Sequence, residues 1–185
     1  MTYSKDQQTA MLNTAYQSLK HGLGYNQPLI IDPRNYDDEL QKIRACFVTL
    51  EINNLLRGCI GSLIAHEPLI NSVANNAYNA GFSDHRFRPI SDAELANIEI
   101  HISVLTDPQT LEVSSEQDLF NKLKVGIDGL ILKDGPYQST FLPSVWQSLK
   151  TPQEFVQQLK LKAGLRQEHW SDSMQFLIYQ TQLIK

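Results

Sequence analysis

The chain has 185 residues, 20 acidic and 16 basic, for a net charge of -4, which argues against a sequence-independent grip on nucleic acid. Its 42% hydrophobic and 19% charged residues exclude disorder, and a chain of this length buries roughly 70% of its unfolded surface without needing a disulfide or metal. Two cysteines exclude a disulfide scaffold and a four-cysteine zinc site, and no apolar run approaches the roughly 20 residues that span a bilayer.

From the N-terminus, MTYSKDQQTA carries no basic segment followed by an apolar stretch, so no secretory leader is expected and a cytoplasmic location is. Ser4 and Gln7 have capping-box spacing. Leu12, Ala15, Tyr16 and Leu19 then recur at helical spacing and predict a helix over 5–21, stopped by Gly22. Residues 24–38, with Pro28 and Pro33, read as an irregular connection.

Residues 45–52 alternate as a strand, with Cys46, Val48, Leu50 and Ile52 on one face. Asn53-Asn54 tolerates the positive φ of a tight turn, and residues 55–63 return as the second strand of a hairpin. A helix is predicted from Pro68 to Gly81, through Leu69, Ile70, Val73 and Ala77. Ser91 and Glu94 predict a one-turn helix with a capping box. Residues 97–105 form the clearest strand, with Glu99, His101 and Ser103 opposite an apolar face.

Ser115 can cap a helix over 116–124. Residues 129–142 read as a second hairpin, with Pro136 suggesting an irregular loop. Thr151, Pro152 and Glu154 combine cap, first-turn proline and acid for a helix ending at Gly164. Residues 174–183 predict a final strand. Hairpin-linked strands pair antiparallel, so the class is α+β: a mainly antiparallel sheet flanked by helices.

No nucleotide-loop, nucleophile-elbow, metalloprotease or CxxC signature is present. The segment Leu56-Arg57-Gly58-Cys59-Ile60-Gly61-Ser62 stands out. Two glycines weaken a strand and are tolerated where a backbone or ligand comes close. Arg57 and Cys59 are two apart and so share a strand face. A cation there favours the thiolate, or anchors an anionic substrate. A two-residue turn at 53–54 pairs Leu50 with Arg57 and Val48 with Cys59, which turns Cys59 into the apolar face. One bulge at Gly58 would turn it out. Cys46, without an adjacent charge, reads as core.

Other polar groups have two readings. Asp84, His85 and Arg86 form an anion-binding or acid–base loop, or an Asp–Arg pair that ties the loop down; the pair is preferred. His101 with Glu99 is a tuned base or part of a solvated face. His66 and Glu67 precede a helix N-terminus and read as capping. Asp128 serves a turn. No metal set is read: partners for Cys59 such as His66, His85 or His101 would have to arrive by folding.

LRGCIGS resembles the signature of the AMMECR1 family, the protein A of AmmeMemoRadiSam systems. FSDHRF over 82–87, residues 99–105, Gly126-Ile127-Asp128-Gly129-Leu130, Phe141-Leu142-Pro143 with Val145, and Lys162-Ala163-Gly164-Leu165 with Trp170 are similar to further family segments, in order. His85 stands where the family has proline, and Lys160-Leu161 where a cysteine often precedes the KAGL segment. The resemblance implies one domain over residues 1–185, with two unequal lobes and a cleft holding the RGCIG segment. It implies no settled activity or cofactor, and suggests a MEMO-like and a radical-SAM protein as partners. The expected site has Cys59 as nucleophile or redox or metal ligand, Arg57 as thiolate stabiliser or substrate anchor, and His85 or His101 as acid–base. Gly58, Gly61, Ser62, Asp84 and Arg86 would contact a small-molecule ligand. The alternative is a non-catalytic adaptor.

Overall fold

The computed structural model describes residues 2–185. Helices α1 (Lys5–Tyr25), α2 (Asp38–Gln41), α3 (Leu69–Phe82), α4 (Asp92–Leu95), α5 (Glu116–Lys122) and α6 (Pro152–Lys162) accompany eight strands. These are β1 (Cys46–Ile52), β2 (Leu55–Gly61), β3 (Glu99–Leu105), β4 (Gln109–Thr110), β5 (Gly129–Asp134), β6 (Tyr137–Phe141), β7 (Gln175–Tyr179) and β8 (Thr181–Ile184). They form two four-stranded sheets, ordered β2-β1-β3-β8 and β4-β7-β5-β6. The α+β class follows from their antiparallel hairpins. The chain divides into two compact units: residues up to Leu105 with Gln182–Lys185, and Thr106–Thr181.

In the first unit, α1 begins with the expected capping box: Ser4 Oγ accepts from Gln7 N–H, and Gln7 Oε1 accepts from Ser4 N–H. It runs past Gly22 to Tyr25, where Asn26 takes the left-handed conformation and closes the last turn onto Gly22 O. Helix α3 lies on β1 and β2, with α1 beside it. Val48, Leu50, Ile102 and Val104 meet Leu69, Val73 and Ala77 in a fully buried core.

The β1–β2 turn is the expected one: Asn53 and Asn54 have φ of 53° and 62°. The expected register is not. Leu50 pairs with Gly58, Thr49 with Cys59 and Val48 with Ile60, after a shift between Leu50 and Glu51. Arg57 is thus the extra residue of a β-bulge, and the pairings of Leu50 with Arg57 and Val48 with Cys59 are corrected. The cause lies in α3. An added Cβ on Gly58 would sit 2.1 Å from the Ala80 carbonyl oxygen. Only glycine lets the helix come that close, so Gly58 must face it, and the bulge supplies the odd residue that makes this so.

In the second unit, α5 and α6 cover one face of the sheet, where Leu130, Leu132, Phe155, Leu159 and Phe176 are buried. Trp146 stacks on Phe155 at 3.8 Å and donates from Nε1 to Asp128 O. The β5–β6 turn is tight rather than irregular: Asp134 pairs with Tyr137. Gly135 takes a φ of 58°, and Pro136 fills the following position, which donates nothing to the ladder. The single final strand expected over 174–183 is two: β7 ends at Tyr179 in the second sheet and β8 joins the first. Thr106 and Gln180 hydrogen-bond where they part.

Candidate functional site

The bulge places Cys59 on the face of the first sheet opposite α3. The residue is half-buried, not core. Both of its backbone groups point away from β1. Asp84 Oδ2 accepts from Cys59 N–H at 2.9 Å, and Arg86 Nη2 donates to Cys59 O at 3.2 Å. Cys59 therefore faces Thr49 across a non-hydrogen-bonded position, the closer kind, with Cα atoms about 4.5 Å apart. Thr49 Oγ1 uses that proximity and donates to Cys59 Sγ at 3.2 Å.

The Asp84–Arg86 pair stands in for a missing neighbour strand. It supplies one acceptor and one donor to an edge that would otherwise be open at Cys59. Asp84 is buried and also accepts from Arg86 N–H, Nε and Nη2, the last at 2.7 Å. These bonds from Arg86, and then the Cys59 N–H, hold its carboxyl well below the usual carboxylate range despite burial. The Asp–Arg pairing expected from sequence is present. Its contact with Cys59 is to the backbone, on the sheet edge.

The polar row continues across the sheet. His101 of β3 is the partner of Thr49, and Nδ1 of His101 lies 4.0 Å from Glu51 Oε1. Glu51, not Glu99, is the acid beside His101. Cys59, Thr49, His101 and Glu51 thus share one face. Neither Thr49 nor Glu51 was singled out in the sequence, although both are the polar members of the β1 alternation. Cys59 and His101 are two strands apart, about 10 Å by strand spacing. The imidazole reaches the thiol proton only through a bound molecule, because the Thr49 hydroxyl already donates its hydrogen to the sulfur.

Arg57 goes elsewhere. Its Nε donates to Glu94 Oε1 at 2.8 Å, and Nη2 donates to Glu94 Oε2 and to the carbonyls of Arg88 and Pro89. Nη1 is buried without a hydrogen-bond partner among the described residues. Glu94 also accepts from Ser91 N–H in the expected capping box. Arg57, and then Ser91, lower the Glu94 carboxyl to about 2. The folded value lies below the unfolded one, so this stability is present above the unfolded value, about 4.3, and is lost as pH falls toward 2. Urea midpoints should drop between about pH 5 and pH 2, and Glu94→Gln should flatten that drop.

The remaining expected site residues are spread out. His85 is exposed and makes no hydrogen bond among the described residues. Gly61 lies against Phe47, where a Cβ would sit 2.4 Å from Cys46 O. Ser62 closes the turn after β2, donating to Ile64 O and accepting from Ile64 N–H. His66 leans on Ile64 O and Glu67. Among the described residues no group of three or more His, Cys, Asp or Glu is placed to hold a metal ion. Cys46 is wholly buried on the helix-covered face, and burial pushes its thiol up. None of the described helices is long and apolar enough to cross a membrane.

The face therefore offers a partly accessible thiol, fixed by its backbone on one side and by a hydroxyl on the other, with an imidazole–carboxylate pair beyond. Its relatives agree with this fold. A protein of Methanothermobacter thermautotrophicus is 35% identical over 88% of this chain and 84% of its own length. One of Saccharolobus solfataricus is 41% identical over 77% of this chain and 66% of its own length. The crystal structure of an uncharacterised Pyrococcus horikoshii protein, 29% identical, superposes with a TM-score of 0.82 over 94% of this chain and 88% of its own. The AMMECR1 family profile matches residues 12–184, which spans both units and the whole polar row; the chain belongs to the AMMECR1 family.

Proposed function

We propose that the polar face of the first sheet is the thiol site of a small-molecule enzyme acting in the cytoplasm. The observation that carries it is the bulge at Arg57, which turns Cys59 away from the core and beside Thr49. Cys59 is the nucleophile. The Thr49 hydroxyl steadies the developing thiolate, as hydrogen bonding to a charged form does. His101, beside Glu51, accepts the thiol proton through the substrate or a bound water. Asp84 and Arg86 hold Cys59 in place. Arg57 holds the loop of residues 88–94 and does not serve the sulfur.

An activated ester tests this. With p-nitrophenyl acetate, the Cys59 sulfur bonds to the acyl carbon, the ester C–O bond breaks and p-nitrophenolate leaves. The thiol proton passes to His101 through a bound water and from there to solvent. A stoichiometric burst should appear in the native chain, with the acetyl group on Cys59 by mass spectrometry, and vanish in Cys59→Ser. A burst that persists in Cys59→Ser would overturn the assignment.

A second reading is an adaptor that docks on a MEMO-like or radical-SAM protein of an AmmeMemoRadiSam system. Leu55 and Leu56, exposed at the tip of the β1–β2 hairpin, favour it. Under that reading Leu55→Asp loses co-purification with such a partner and Cys59→Ser keeps it.

A further inference from the structure

Apart from His101, the strands of the first sheet carry only Glu51, Arg57 and Glu99 as ionisable acids and bases. Arg57 pairs with Glu94, which leaves the two carboxylates. They stand directly opposite each other, Glu51 on β1 and Glu99 on β3. Like charges in that position repel. Among the described residues no Lys or Arg forms an ion pair with either, and Glu51 has only His101, at 4.0 Å.

Both lie on the face that carries Cys59, and the register fixes their spacing. Thr49 opposes Cys59 and His101, while Glu51 opposes Leu56 and Glu99. The carboxylate row is therefore one side-chain step along the strands from the thiol row, about 7 Å. Glu51 is the diagonal neighbour of Cys59, at the roughly 7–8 Å that long side chains can bridge. Glu51 is half-buried there and Glu99 is exposed. The arginines nearest Cys59 do not offset this charge. Arg57 turns to Glu94, and Arg86 is matched by Asp84.

We infer that the molecule on which Cys59 acts is a cation: a small molecule with an ammonium group a few bonds from its electrophilic atom. The inference rests on the thiol reading of the same face. The ammonium sits between Glu51 and Glu99 and relieves their repulsion. That anchor lays the electrophile over Cys59, with the imidazole of His101 alongside. An anionic substrate is repelled by both carboxylates.

Methanethiosulfonates test this, because one reaction can carry either charge. The Cys59 sulfur bonds to the sulfenyl sulfur of the reagent, the S–S bond breaks and methanesulfinate leaves with the electron pair. The thiol proton leaves by the route given for the ester. Labelling of Cys59 in the full chain is followed by mass spectrometry in low salt. The reagents are the trimethylammonioethyl, sulfonatoethyl and methyl methanethiosulfonates, each rate divided by that with 2-mercaptoethanol. The cation should outpace the anion about tenfold or more, with the neutral reagent between them. Glu51→Gln and Glu99→Gln should each lower that ratio about threefold, and salt at about 0.5 M should lower it as well. Taking a ratio cancels any change that Glu51→Gln makes in the thiol itself. Asp6→Asn, at the exposed start of α1, alters the net charge equally and should leave the ratio unchanged. If Cys59 resists even the neutral reagent, the thiol reading fails and this inference with it. If Cys59 reacts but the ratio is near one, ignores both glutamine variants or moves as much in Asp6→Asn, the thiol reading stands and the inference is overturned.

Discussion

Replacing Gly58 with alanine should destabilise the chain by about 3 kcal/mol or more in urea unfolding, the upper range for overpacking a core contact. The new Cβ would lie 2.1 Å from the Ala80 carbonyl oxygen and 3.0 Å from its carbonyl carbon. Both are backbone atoms of a helix, which no rotamer change can move. The neighbouring helix positions Ala77, Ala80 and Gly81 are small, which brings α3 onto the strand in the first place. Ala80→Gly should therefore fail to rescue Gly58→Ala, because the obstacle is the peptide group and not the methyl. A loss below about 1 kcal/mol would mean that strand and helix are further apart than described.

Asp84→Ala should be nearly as damaging, about 3 kcal/mol, because it strips partners from two groups at once. The Cys59 N–H loses its acceptor, and Arg86 loses the carboxylate that aims it at the Cys59 carbonyl. Asp84→Asn keeps an acceptor for the N–H and should fall between. The carboxyl's folded pKa is depressed, so its contribution is present above the unfolded value, about 3.9, and disappears as pH falls below it. The gap in urea midpoint between the native chain and Asp84→Asn should therefore narrow on acidification. A gap that widens would reverse the sign of this coupling.

What the sequence made legible was local chemistry. The caps at Ser4, Ser91, Ser115 and Thr151 and the Asn53-Asn54 turn involve residues within a few positions of each other. The Asp84–Arg86 pair was legible for the same reason. The facing of Cys59 was not. It depends on one inserted residue, and that insertion is decided by a helix carbonyl more than 20 positions away along the chain. Arg57 was misread for a related reason: spacing by two implies a shared face only in an unbroken strand. Its partner Glu94 looked like a capping acid, which it also is. Thr49 and Glu51 drew no notice because alternate polar residues in a strand ordinarily mean a solvated face. The break at Gln180 was hidden since both halves of 174–183 alternate well.

A thiol site on this sheet requires Cys59 to be accessible on the polar face while Cys46 is sealed beneath it. Iodoacetamide labelling of the native chain, read residue by residue by mass spectrometry, tests that directly. Cys59 should react about a thousandfold faster than Cys46, whose sulfur is exposed only when the fold opens. Denaturant should then make the two rates equal. A Cys59 that resists labelling as completely as Cys46 until the chain unfolds would contradict the assignment of the thiol face.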